Sequence, residues 1–159
     1  MQYRVVQKGK FFVIGVCAEA SFATNGEVTP RLAKHFMPRL KEVPNRTDSF
    51  RLSLQKYNNF KFEKFSPTTP FKKWIGVEVT DIENTPVGMD TLEIPSGNYL
   101  VIDFKGSIPE FINQWQCIHS TWLPASEFEL DDRPHFERLS PNYNPMQEVN
   151  EEEIWIPVK

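Results

Sequence analysis

The chain has 159 residues, 40% of them apolar and 25% charged, which suits one globular domain and excludes a disordered or fibrous polypeptide. Eighteen basic residues stand against 21 acidic ones, for a net charge of −3, and that balance argues against a nucleic-acid surface, where a basic excess is the rule. The aromatic share is 13%, and aromatic side chains both fill cores and line ligand pockets.

Cys17 and Cys117 lie far apart in apolar segments and read as small buried hydrophobes, not as a disulfide or metal framework. No stretch has the order of a signal peptide or the length of a membrane span. The expectation is a cytoplasmic protein with no cofactor, no metal, no membrane contact and no direct binding to nucleic acid.

In chain order, Tyr3-Arg4-Val5-Val6 leads into Phe11-Phe12-Val13-Ile14-Gly15-Val16-Cys17, a β-branched and aromatic run that predicts a buried strand. Gly15 within it marks a bulge or a close backbone approach. The loop from Ser21 to Gly26 carries Phe22, which either covers a pocket or packs on the core. Thr29-Pro30 predicts a helix start, with Leu32, Phe36, Leu40 and Val43 on one face and a kink at Pro38. Arg31, Lys34, His35, Arg39, Lys41, Arg46 and Arg51 read as a solvated face.

Phe50 to Gln55 and Trp74 to Thr80 alternate at period two and predict half-buried strands separated by a proline-bearing loop. In the second, Ile75, Val77 and Val79 point one way. Trp74, Gly76, Glu78 and Thr80 point the other, toward either a pocket or solvent. The second half repeats this order. After a possible short strand Thr91-Leu92-Glu93-Ile94, a strong one runs from Tyr99 to Lys105. Ser107 to Glu110 is a capping box, and Ile108, Phe111, Ile112, Trp115, Ile118 and Trp122 follow at helical spacing. Pro134 to Leu139 and Glu153 to Val158 supply the last two strands. The expected fold is α+β, an antiparallel sheet with two helices on one side.

Several motifs then carry a resemblance. Ile94-Pro95-Ser96-Gly97-Asn98-Tyr99, Trp122-Leu123-Pro124, Phe128-Glu129-Leu130, Pro134-His135-Phe136-Glu137 and Ile154-Trp155-Ile156-Pro157 together resemble the gyrase-inhibitor-like (GyrI-like) superfamily. The superfamily includes the effector-binding domains of AraC-type activators and MerR-type multidrug regulators. The resemblance implies a tandem pair of strand–helix–strand–strand modules, about residues 1–82 and 90–159, with a pocket between the halves. It implies a stand-alone effector-binding domain for lipophilic, cationic, aromatic small molecules. By position Glu137 matches the pocket glutamate and Trp155 the closing aromatic residue, where tyrosine is more usual.

Read locally, Glu137 is a carboxylate in an apolar strand, facing a pocket, solvent, or Arg133 and Arg138. An organic cation leaving water needs such a counter-charge, and aromatic faces attract it further. Trp155 points away from Ile154, Ile156 and Val158, as a ligand-facing or dimer-contact ring would. Phe22, Trp74, Trp115 and Trp122 are the remaining candidate rings, Trp115 also fitting the core stripe of its helix. Glu151-Glu152-Glu153 reads as a solvated acidic run before the last strand. Two other functions stay open. One is hydrolysis of strained electrophilic rings, with Glu137 as general base and His135 on the same strand face. The other is a protein-interaction role toward a topoisomerase. A homodimer is compatible with the surplus of aromatic residues.

Overall fold

The computed structural model describes all residues, 1–159, as one antiparallel sheet with two helices on one face. The elements in order are β1 (Arg4–Lys8), β2 (Phe11–Ala20), α1 (Asn25–Phe36), β3 (Arg51–Lys56), β4 (Phe71–Val79), β5 (Asp90–Ile94), β6 (Gly97–Gly106), α2 (Ile108–Cys117), β7 (His135–Leu139) and β8 (Asn150–Val158). Each half is therefore strand–strand–helix–strand–strand. The expected modules gain a leading strand, β1 or β5.

The sheet order is β1-β6-β8-β7-β3-β4-β2-β5. It is symmetric about the β7–β3 junction: β3 stands opposite β7, β4 opposite β8, β2 opposite β6. Each leading strand pairs with the other half, β1 with β6 and β5 with β2. That exchange ties the halves together at both edges as well as at the centre. On the central junction Ser53 stands opposite Glu137 and Leu54 opposite Phe136.

Strand alternation sends successive side chains to opposite faces. On the helical face, Ile14, Ile75, Val77 and Val79 pack under Val28, Leu32 and Phe36 of α1. Leu100, Ile102, Ile154 and Ile156 pack under Ile118 and Leu123 beyond α2. On the other face Phe11, Val13, Leu52, Leu54, Trp74, Ile94, Tyr99, Val101, Phe136 and Trp155 form a separate core. β2 and β6 are five strands apart in the sheet, so their side chains meet only because the sheet curls around this face. Lys8 of β1 reaching Glu78 of β4 at 2.9 Å shows the same closure. Gly15 and Gly76 stand opposite each other in β2 and β4 without a bulge. A Cβ on Gly15 would collide with the carbonyl of Ile75, so the close approach requires glycine there.

The helix ends depart from expectation in two places. α1 starts at Asn25, four residues before Thr29-Pro30, because the amides of Glu27 and Val28 already bond the carbonyl of Thr24. Pro30 is inside the helix, and Pro38 turns the chain into a 3₁₀ segment, Met37–Glu42. α2 has the capping box: the Glu110 amide donates to Ser107 Oγ at 3.3 Å and the Ser107 amide donates to Glu110 Oε1 at 3.1 Å. Ile108 and Ile112 are about half exposed, so the buried face of α2 is narrower than its apolar stripe. Cys117 is exposed on that helix and Cys17 is half buried, its thiol 3.4 Å from Asp90, against the expectation that both are core residues.

Candidate ligand-binding site

The helical face changes character at its centre. Between the apolar patches under the two helices, β3, β4, β7 and β8 present Ser53, Gln55, Lys73, His135, Glu137 and Glu152. The register places them together: Ser53 opposite Glu137, Gln55 opposite both His135 and Lys73, Leu139 opposite Glu152. Ser53, Gln55, Lys73, His135 and Glu137 are all buried, Lys73 to 2% exposure and Glu137 to 7%.

Glu137 accepts a hydrogen bond from Gln55 Nε2 at 3.2 Å. Burial raises its pKa, while the charge of Lys73 and the bond from Gln55 pull it back down. Neither flanking arginine holds it. Arg133 bonds Asp131 and the carbonyls of Asn98 and Val158, and Arg138 bonds Glu153 and Asp48. Lys73 donates to Ser53 Oγ at 2.6 Å, and burial lowers its pKa to about 8 against the opposing pull of Glu137 and Glu152. Glu152 is pushed up to about 8, by burial first and by the charge of Glu137 second. The acidic run is thus not uniformly solvated. Glu151 is exposed beside Lys105, Glu153 pairs with Arg4 and Arg138, and Glu152 turns inward.

Two hairpin loops cover this floor. Residues 57–70, between β3 and β4, lean toward α2. Their rings Tyr57, Phe60, Phe62 and Phe65 pack with Phe22, Trp115, His119 and His135. Residues 140–149, between β7 and β8, lean toward the end of α1, where Arg51 donates to the carbonyl of Tyr143 at 2.9 Å and touches Met37 Sδ. A π-helical turn, Ile118–Trp122, follows α2 and drives His119 inward. Both ring nitrogens of His119 and Nδ1 of His135 lack partners, and burial lowers the pKa of His119 to about 4 and that of His135 well below its usual value. His135 shares the Glu137 face, yet Gln55 makes the bond to the carboxylate.

The six residues expected at the site divide between three places. Phe22 and Trp115 meet edge-on with centroids 5.3 Å apart, and Tyr57, which packs on Phe22 and feels the charge of Glu137, stands between them and the carboxylate. Trp74 and Trp155 lie on the opposite, curled face, where Trp155 stacks on Phe136 at 5.3 Å and its Nε1 donates to Glu153. Trp155 does face away from Ile154 and Ile156, but the face it turns to is a second core. Trp122 packs against Tyr3 and Phe128 beyond the end of α2. Sequence reading missed Lys73, Gln55, Ser53, Glu152, Tyr57 and Tyr143. Lys73 had a visible signal: it continues the alternation of Ile75, Val77 and Val79 toward the apolar face. A surface groove of about 480 Å³, lined mostly by polar residues, lies at the strand ends among Lys56, Lys72, Asp132 and Arg133, with Tyr57 as its link to the covered floor. No cluster of three His, Cys, Asp or Glu is placed to hold a metal ion, and no helix is long and apolar enough to cross a membrane.

Comparison with known proteins agrees with this fold. The transcriptional regulator BrlR of Pseudomonas aeruginosa is 25% identical over 162 residues, a match that covers 99% of this chain and 56% of BrlR. The chain thus spans about half the length of that curated relative. Among solved structures, SAV2435 bound to tetraphenylphosphonium superposes with a TM-score of 0.69 at 19% identity, covering 100% of this chain and 94% of that one. The C-terminal domain of EcmrR gives 0.65 at 13% identity, covering 99% and 97%. At these identities the structures share the fold. The family model described as GyrI-like small molecule binding domain matches residues 1–159, and the chain belongs to that family.

Proposed function

We propose that this domain captures a lipophilic, aromatic organic cation on the helical face of its sheet, between the two hairpin loops. The observation that carries the reading is a pair of inward acidic side chains, Glu137 and Glu152, on a floor covered by the packed aromatic rings of residues 57–70. A buried carboxylate without a full ion pair is costly, and an incoming cation offsets that cost directly. Phe22, Tyr57, Phe60 and Trp115 supply faces that attract a cation by ~0.5–2 kcal/mol each when desolvated. The guest takes space that the rings of residues 57–70 now fill, so those rings must move aside as it enters. Trp74, Trp122 and Trp155 serve packing in this reading and do not touch the guest. The fold neighbour holding tetraphenylphosphonium and the regulator relative are in keeping with a sensing or sequestering role.

The test is a titration with tetraphenylphosphonium and with an uncharged tetraaryl compound of the same size. Glu137→Gln should weaken binding of the cation by about 30-fold or more, the scale of ~2 kcal/mol and upward expected when a buried charge loses its partner. Binding of the neutral compound should stay within about twofold. Equal affinity of wild type and Glu137→Gln for the cation would remove Glu137 from the role of counter-charge.

A further inference from the structure

The floor that would receive a cation already contains one. Lys73 is 2% exposed and stands on the same face as both carboxylates, one strand from Glu137's neighbour Ser53. Its one hydrogen bond is to the Ser53 hydroxyl, and it feels Glu137 and Glu152 through space without an ion-pair contact to either. A lysine in this position balances the charge of Glu137 in the empty site. With Glu152 raised to about 8 and so largely protonated near neutral pH, a guest that brings its own positive charge would set two cations against the one negative charge of Glu137. The least costly way to relieve that excess is loss of a proton, which a tetraalkyl or tetraaryl guest cannot supply.

We propose that Lys73 is the resident cation of the site and its specificity-determining residue: the guest's charge replaces that of Lys73 beside Glu137 and Glu152, and the Lys73 ammonium loses a proton to solvent. No covalent bond changes apart from that N–H, and the neutral amine still donates to Ser53. This inference rests on the cation reading above.

The neighbouring groups narrow the donor to Lys73 or Glu152, and Lys73 is the one that carries the excess positive charge. His119 and His135, facing the floor from the end of α2 and from β7, are held neutral by burial, His119 at about 4, and have no proton to give near neutral pH. Tyr57 and Tyr143, facing it from the two loops, are pushed up by burial and keep theirs, Tyr143 at about 12. Arg51 on β3 bonds the Tyr143 carbonyl and stays charged. Opposite Lys73 on β2 stands Ala18, which is uncharged. Glu152 on β8 is the one competing source, since its carboxyl titrates in the same range as Lys73.

Calorimetric titration of the full chain with tetraphenylphosphonium, at one pH near 7 in buffers of different ionisation heat, reads the proton directly. Wild type should release close to one proton per guest, and its affinity should rise about tenfold per pH unit up to about pH 8. Lys73→Met, which keeps the volume without the charge, should bind the cation at least tenfold more tightly at pH 7. Glu152→Gln should still release a proton. Binding by wild type without proton release overturns the inference and leaves the cation reading standing. So does a Lys73→Met variant with unchanged affinity, or a Glu152→Gln variant whose release disappears. Failure of both wild type and Lys73→Met to bind the cation overturns both.

Discussion

Phe136 and Glu137 are neighbours on β7, and the sheet separates them completely. Phe136 joins Trp155, Tyr99 and Phe11 in the core that the curled sheet encloses. Glu137 faces the helices with Gln55, Ser53 and Lys73. The same division runs along β4, where Trp74 goes to the enclosed core and Lys73 to the polar floor, and along β3, where Leu54 alternates with Ser53 and Gln55. One face has its apolar surface packed ring on ring. The other spends its central positions on polar groups with few partners. Binding capacity in this fold therefore comes from the face that is less well satisfied, and rigidity from the face behind it.

The sharpest way to break that contrast is to truncate each side. Phe136→Ala and Trp155→Ala should each cost about 3–5 kcal/mol of stability, the range for large-to-small changes of buried aromatic residues. Urea unfolding measures this. If Trp155 lined the site instead, Trp155→Ala would cost little stability and chiefly weaken binding of tetraphenylphosphonium.

The pH dependence of stability separates the faces next, because the titrating groups lie on one of them. Glu152 is raised from 4.5 to about 8, so its stabilising contribution is present below 4.5 and fades as pH rises to about 8. Lys73 is lowered from 10.5 to about 8, so its contribution is full above 10.5 and fades as pH falls to about 8. His119, lowered from 6.5 to about 4, contributes above 6.5 and loses that as pH falls to about 4. Below 6.5 the histidine and the glutamate oppose each other. Between 6.5 and 8 neither His119 nor Lys73 contributes a slope, and that of Glu152 acts unopposed. Stability should fall by about 2 kcal/mol over that window, one proton's worth of linkage, and recover above pH 8. Thermal melts of Glu152→Gln should lose the fall, and those of Lys73→Met should lose the recovery. A flat wild-type profile from pH 6.5 to 8 would mean that Glu152 reaches water.

Much of the fold was legible because its signals are local. The capping box at Ser107, the stripe of Ile75, Val77 and Val79, and the helical spacing through Ile118 all depend on nearby residues. The site was less legible, because its floor depends on where strands begin and which strands meet. Starting β4 at Trp74 hides Lys73, although β4 begins at Phe71 and carries the alternation back to it. Starting β8 at Glu153 makes Glu152 part of a loop. In the fold β8 begins at Asn150, whose side chain is fixed by donating to the carbonyl of Asn144 and accepting from its amide. The orientation of Trp155 followed from alternation, but its surroundings depend on the sheet curling. That curl rests on β1 pairing with β6 and β5 with β2, contacts no local pattern announces.

The smallest effect concerns the two tryptophans of α2 and its extension, which share a helical stripe and end in different surroundings. Trp115 is half buried and touches Phe22, Phe60, Phe62 and His119 above the polar floor. Trp122, seven residues on, is displaced by the π turn and packs on Tyr3 and Phe128 at the far side. An aromatic face next to a desolvated cation contributes ~0.5–2 kcal/mol, so Trp115→Ala should weaken tetraphenylphosphonium binding by about 3- to 30-fold. Trp122→Ala should leave that affinity within twofold, since its ring faces β1 and the 128 loop and not the carboxylates. Equal losses in the two variants would show that both rings act by holding α2 in place, and that the wall of the site is the helix itself rather than the Trp115 ring.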